Sequence, residues 1–279
     1  MSVNNTLIIA QKELSDIVNN KWVLIVLIIY LFMVLSFILD VNDQSTKELN
    51  DEQLFSVMFG WSQAIISYGT IIGIMIGFFT ISNEKYNKTL NTLLSKPLYR
   101  DTIINGKLIA CIGFLLLLFG LTVAIYISLM LILYGNSAYH FLIMVLDRLP
   151  IIFFISFLYV IIYMLLSMMV SIIVRRQSVA LLFSILLYVL MSSILATMSF
   201  AGNIYHILGG QIGSRIYYYF INLLPDCAYQ LMVMHGLNDP SRNIFSVLNI
   251  CWANFFLFPL YVIVLIVLCY ISFLRRDSV

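Results

Sequence analysis

Uncharged apolar stretches of membrane-crossing length recur along the chain and are separated by short polar segments. Because about 20 apolar residues cross the hydrocarbon core of a bilayer, this pattern predicts six transmembrane helices. They are expected at about 22–40, between Glu52 and Glu84, from near Lys107 to Tyr134, from Leu149 to Val174, and at about 178–200 and 251–274. The sequence therefore predicts an all-α integral membrane protein in which residues 1–279 form one transmembrane domain.

The residues before the first predicted span have the spacing of an amphipathic helix. Apolar residues recur at intervals of three and four, and polar residues take the opposite face: Leu7, Ala10, Leu14, Ile17 and Val18 against Lys12, Asp16, Asn19 and Asn20. This pattern predicts an interfacial "elbow" helix over 5–20, with Lys12, Glu13 and Asp16 as its charged residues. An irregular tail is the alternative.

Composition and charge agree with a membrane location. The chain is 62% hydrophobic and 10% charged, whereas soluble domains carry about 25% charged residues. If the N-terminus is inside, eleven Lys and Arg residues fall on inner segments and four on outer segments. The positive-inside rule then predicts a multi-pass protein of the cytoplasmic (plasma) membrane with both termini in the cytoplasm.

The segment 83–101, between the second and third predicted spans, is basic and carries an apolar stripe. Tyr86, Leu90, Leu93 and Leu94 follow helical spacing, and the stripe stops at Pro97. Such a stripe needs cover from the bilayer surface or from a groove on another protein. A basic loop that only fixes the topology is the alternative.

Residues 201–250 mix glycines and aromatics, and are too apolar for a plain loop yet too interrupted for one span. They predict short re-entrant or interfacial helices on the outer side, with an extra pair of spans as the alternative. Cys227 and Cys251 fall on that side, so a disulfide between them is open.

The chain lacks arrangements of residues that several classes of protein require for their chemistry. No Asp, Glu, Lys, Arg or His lies between the ends of the predicted spans, which disfavours a proton relay or an intramembrane hydrolase. The chain lacks a phosphate-binding loop and a Cys/His metal set. We expect no catalytic residue, cofactor, metal or nucleic-acid partner. If the protein drives any process uphill, the energy must come from another chain.

Glycines at four-residue spacing mark the second predicted span. Gly69, Gly73 and Gly77 share one helix face and permit close backbone approach. Packing within the chain is one interpretation, and contact with a second copy is the other.

Several motifs together resemble the membrane subunits (permeases) of ABC transporters of the second exporter type. The central motif comprises Glu84, Thr89, Leu90, Leu93, Leu94, Ser95, Pro97, Arg100, Gly106 and Lys107. The elbow sequence Ala10–Leu14 and the ending Phe273–Asp277 are also similar to this family. Lys88 stands where the family has glycine, and the N-terminal stretch is similar to permeases that serve copper-site maturation of nitrous oxide reductase.

The resemblance implies the permease of an ATP-driven exporter without catalytic residues of its own. Two permease subunits, identical or related, would associate with two cytoplasmic ABC ATPase subunits and with the lipid bilayer. The ATPase-coupling residues would be Glu84, Thr89, Leu90, Leu93, Leu94, Pro97, Arg100 and Lys107. An ion-coupled secondary transporter or channel, or a membrane scaffold for an ATPase, is the alternative.

Overall fold

A computed structural model describes residues 3–44, 60–86, 100–174, 176–194, 223–237, 239 and 242–274. Regular structure within these ranges is entirely helical. In chain order the helices are α1 (Val3–Val18), α2 (Lys21–Gln44), α3 (Gly60–Ala64 and Thr70–Tyr86, joined by the π-helical turn Ile65–Gly69), α4 (Arg100–Val145), α5 (Leu149–Ile173), α6 (Gln177–Val189, continued by the π-helical turn Leu190–Ile194), α7 (Pro225–Met234), α8 (Ile244–Ile250) and α9 (Trp252–Leu274).

Within the described ranges, four helical stretches are long and apolar enough to cross a membrane: Gly60–Ser82, Thr102–Leu133, Leu149–Ile173 and Trp252–Phe273. The bent pair α1–α2 adds a fifth if it counts as one span. The apolar part of α6 is shorter than these stretches. The prediction of an all-helical, multi-pass membrane protein is confirmed. The count of six spans stays a prediction.

Large apolar side chains remain exposed along the outer faces of the bundle. Examples are Trp22 and Phe32 on α2, and Phe256 and Leu260 on α9, each with more than half of its surface accessible. A soluble protein rarely exposes so much apolar surface. Lipid tails would cover these faces without cost to the fold.

Helix α1 meets α2 at a 67° bend. At the junction, the Oδ1 atom of Asn20 accepts a hydrogen bond from the backbone N–H of Trp22 at 3.0 Å, which satisfies a free donor at the start of α2. The face of α1 that packs on the bundle includes the buried residues Ala10, Glu13 and Ile17. Leu7 and Val18, which the sequence pattern places on the same apolar stripe, are exposed instead, because a helix packs along a narrower line than its full apolar face.

Helix α5 forms the centre of the bundle and packs against α3, α6 and α9. Gly73 and Gly77 of α3 lie against it, so that a Cβ atom at Gly73 would stand 2.7 Å from Val160 Cγ1 and one at Gly77 would clash with the carbonyl oxygen of Met164. Across the same contact, Ser167 Oγ donates to the carbonyl of Ile74 at 2.8 Å. The two helix backbones therefore approach closely.

Gly135 interrupts α4, with φ of 54° and ψ of −127°, a conformation that favours glycine. The sequence predicts the end of the third span at this position, whereas the helix resumes beyond it and runs to Val145. The kink lies beyond the apolar stretch Thr102–Leu133.

Two short helices occupy the described part of the region predicted as re-entrant, and 195–222 lies outside the described residues. Helices α7 and α8 have 10 and 7 residues, so neither is long enough to cross a bilayer. The buried guanidinium of Arg148 donates to the carbonyls of Gly236 and Leu237, each at 3.0 Å, and to that of Arg242, which holds the loop after α7 against the start of α5. Cys227 and Cys251 are buried, free thiols.

The close contact between α3 and α5 can be tested by adding one methyl group. We predict that Gly77→Ala lowers the free energy of unfolding by about 1–3 kcal/mol, because backbone atoms of Met164 and Met168 meet the new Cβ. The matched control is Gly120→Ala, where nothing lies within 4 Å and alanine favours the helix by up to about 1 kcal/mol. Thermal unfolding in detergent measures both variants, and equal midpoints would contradict the packing described.

Candidate functional site

A buried ion pair joins three helices at the end of the bundle where α1 lies, called the α1 end below. Lys107 of α4 is fully buried, and its Nζ atom lies 2.8 Å from Glu13 Oε1 of α1. The same Nζ atom donates to the backbone carbonyl of Thr80 in α3 at 3.1 Å. One ammonium group carried by α4 therefore contacts both α1 and α3.

The local sequence explains how α1 comes close enough to form this pair. Gly106 precedes Lys107, and a Cβ atom at Gly106 would stand only 2.6 Å from Ile9 Cγ2. On α1, Glu13 follows Ala10 by three residues and precedes Ile17 by four, so the three share a helix face. The absent side chain on α4 and the small side chain on α1 let the carboxylate reach the ammonium.

The side chain of Thr80 has uncharged partners. The Thr80 hydroxyl donates to the carbonyl of Ile76 at 2.7 Å and lies 3.2 Å from Cys111 Sγ. Thr80 thus presents its backbone carbonyl as a neutral acceptor beside Glu13. The ammonium has a full negative charge on one side and a carbonyl dipole on the other, as a buried cation requires.

A second contact at this end joins α6 to α3. Gln177 Nε2 donates to the carbonyl of Ser82 at 2.8 Å, and Phe78, Val170 and Ala180 form a small apolar cluster beside it. The last turns of α3 are therefore held by α4 and α1 on one side and by α6 on the other.

Lys107 of the ion pair connects the two helices that flank the segment 83–101. Helix α3 ends at Tyr86 and α4 begins at Arg100, so the pair lies close to both ends of the segment predicted to dock on an ATPase. A displacement of that segment would act on the helix ends that Lys107 holds against α1.

The eight residues expected to couple to an ATPase fall into three groups according to their place in the structure. Glu84 lies in α3 and Arg100 begins α4, on the two sides of the segment. The five others, Thr89, Leu90, Leu93, Leu94 and Pro97, lie outside the described residues. Lys107 is buried, and its ammonium group contacts Glu13 of α1.

The three charged residues predicted for the elbow helix differ in their exposure to solvent. Lys12 and Asp16 form an i,i+4 pair at 3.9 Å with both side chains 60% exposed, and such pairs contribute little stability. Glu13 is buried. The sequence places Glu13 in the elbow helix and Lys107 in the motif of the coupling segment, and it does not reveal the contact between them. The available signal was one carboxylate on the buried line of α1 and one lysine near the start of an apolar helix.

Residues 7–278 match a protein-family model described as an ABC-2 family transporter protein. The match includes both members of the ion pair and the helices α2 to α9. No curated protein matches the chain.

Removing one partner of the ion pair tests its contribution to the fold. We predict that Lys107→Met lowers the free energy of unfolding by about 3–5 kcal/mol, because the Glu13 carboxylate is left buried without a cation. The double variant Lys107→Met/Glu13→Gln should recover most of the loss, because no uncompensated charge remains. Thermal unfolding midpoints in detergent measure each variant.

The exposed lysine of α1 supplies the control for this cycle. Lys12→Met should change the free energy of unfolding by less than about 0.5 kcal/mol, since its partner Asp16 is exposed. Additive effects of Lys107→Met and Glu13→Gln, with no recovery in the double variant, would show that the two side chains do not form a coupled pair.

Proposed function

The chain belongs to the ABC-2 family of transporter proteins, and we propose that it is the membrane-spanning permease subunit of an ATP-driven exporter whose ATP is hydrolysed by a partner subunit. The observation that carries this proposal is the three-helix contact at Lys107. It stands beside both ends of the segment whose sequence is typical of an ATPase-docking element.

In this proposal, residues 83–101 dock in a groove of the ATPase. Leu90, Leu93 and Leu94 supply the apolar contact, and Glu84 and Arg100 supply polar contacts at its edges. Closure of the ATPase on ATP would displace the adjoining ends of α3 and α4. The Lys107–Glu13 pair would carry the same displacement to α1.

Two permease subunits and two ATPase subunits complete the proposed exporter. A single chain offers one elbow helix and one docking segment, so a dimeric ATPase would engage two permeases, either identical or related. The permease supplies the path through the membrane and no catalytic residue.

The proposed orientation places both termini in the cytoplasm. Eleven of the fifteen Lys and Arg residues then lie on the inner side. The contacts Lys107–Thr80 and Gln177–Ser82 support it, because they bring the end of α3 and the starts of α4 and α6 to the same side.

This orientation predicts opposite sides for two insertion points. A reporter that is active only in the cytoplasm should be active when fused after Val279 and inactive when inserted between Lys47 and Glu48. A reporter active only outside the cytoplasm should show the reverse. This topology places five spans between the two insertion points. Activity of the same reporter at both points would require an even number of spans between them and would reject it.

Coupling to the ATPase is tested by truncating the apolar stripe. We predict that Leu90→Ala/Leu93→Ala/Leu94→Ala abolishes the ATP hydrolysis that copurifies with the affinity-tagged chain, because the docking contact loses its apolar surface. The permease itself should still insert and purify in equal yield. Glu84→Lys should produce a similar loss through charge reversal.

Three exposed leucines of α4 provide the matched control. Leu116→Ala/Leu117→Ala/Leu121→Ala removes the same atoms from the outer face of a membrane-crossing helix and should leave the copurifying hydrolysis unchanged. Undiminished hydrolysis in the stripe variant would reject docking through this segment. Ion-gradient-driven flux by the purified chain without ATP would favour the secondary transporter or channel.

A further inference from the structure

A cavity of about 370 Å³ lies at the end of the bundle opposite to the α1 end. Helices α3, α5, α6 and α7 surround it, and its polar lining includes Gln63, Ser67, Tyr159, Tyr188, Asp226 and Tyr229. Its volume falls within the range of small-molecule sites, about 300–1,000 Å³. The Lys107 contact described above takes no part in it.

Both π-helical turns of the described chain face this cavity. The turn Ile65–Gly69 contributes Ile66 and Ser67, and the turn Leu190–Ile194 contributes Ser192. A π-helical turn is rare, interrupts an α-helix as a single turn and occurs frequently at functional sites. Two such turns on different helices meet at one cavity, which indicates that the cavity is a feature the fold maintains.

Asp226 is the charged residue of the cavity lining. Its Oδ1 atom accepts a hydrogen bond from Tyr159 Oη at 3.2 Å, and its Oδ2 atom accepts one from Gln230 Nε2 at 3.1 Å. No Lys, Arg or His forms an ion pair with it anywhere in the described ranges. Burial raises the pKa of this carboxyl group, and the hydrogen bond from Tyr159 opposes that rise. A cation bound beside the group would favour its carboxylate form.

Four tyrosine rings form a continuous series beside this carboxylate. Tyr188 meets Tyr163 edge-on with ring centroids 5.2 Å apart, Tyr163 lies 5.1 Å from Tyr159, and Tyr159 lies 6.5 Å from Tyr229. The hydroxyl of Tyr229 lies 3.3 Å from Ser62 Oγ, which fixes that ring against α3. Aromatic faces attract cations, and the attraction is larger where water is excluded.

We propose that this cavity binds an organic monocation, with an amine or quaternary ammonium group held between Asp226 and the tyrosine rings. The apolar part of the ligand would lie against Ile66, Val233 and Met234, which complete the lining. That such a cation is the exporter's cargo rests on the proposed function, whereas binding to the cavity does not. The cavity therefore assigns a chemical class to the ligand: one positive charge attached to a compact apolar group.

The test measures binding of benzyltrimethylammonium to the purified permease by isothermal titration calorimetry, without ATP. Asp226→Asn keeps the shape and removes the charge, so we expect at least a tenfold weaker affinity. Asp16→Asn removes an exposed carboxylate of α1 and should leave the affinity unchanged. Equal affinities of the wild-type chain and Asp226→Asn, or no binding to the folded wild-type chain, would overturn the proposal.

A second variant covers the case in which Asp226→Asn fails to fold. Met234 lines the cavity and is 69% exposed, so Met234→Lys places a cation there without repacking the core. We expect it to reduce binding of benzyltrimethylammonium at least tenfold, and unchanged binding would count against the site. The Leu90→Ala/Leu93→Ala/Leu94→Ala variant should bind normally, so a failure of ATPase docking is distinguishable from a failure of this inference.

Discussion

The α1 end of this protein depends on the requirement that a buried lysine charge be matched by a carboxylate from another helix. Lys107 is fully buried, and the carboxylate that compensates it comes from Glu13, 94 positions earlier in the chain. Desolvating an ammonium group costs several kcal/mol, and only a close, well-oriented counter-charge offsets that cost. Helix α1 therefore cannot leave α4 without exposing or stranding a charge, even though much of its surface is polar or exposed.

This constraint gives the bundle two ends with different chemistry. At the α1 end, one cation ties α1, α3 and α4 together beside the segment proposed to dock on an ATPase. At the opposite end, a tyrosine-lined cavity with one carboxylate lies between α3, α5, α6 and α7. Helix α5 packs tightly against α3 at Gly73 and Gly77, between these two ends. Because the two backbones are in contact, a movement of α3 would also displace α5.

The sequence predicted the positions of most helices well, because uncharged runs and proline placement are local signals. The prediction for the fourth span, Leu149 to Val174, differs by one residue from α5. The amphipathic spacing of the first twenty residues likewise predicted a helix before the first span, and α1 occupies most of it. The stripe through Leu90 lies outside the described residues and stays a prediction.

The pairing of helices could not be predicted in the same way. Nothing local in the sequence says that Glu13 faces Lys107, or that Tyr159, Tyr188 and Tyr229 lie around one cavity, because these contacts depend on which helices are neighbours. The exposure of Leu7 and Val18 likewise depends on which helices lie beside α1. Apolar spacing identifies a face of a helix, while the neighbouring helix selects the part of that face it covers.

Amide hydrogen exchange of α1 tests the central claim most directly, namely that the Lys107–Glu13 pair holds α1 to the bundle. Exchange in Lys107→Met should become faster across Val3–Val18 while α5 keeps its protection, and the further change Glu13→Gln should restore slow exchange in α1. Unchanged exchange of α1 in Lys107→Met, or an equal acceleration in α1 and α5, would contradict the account.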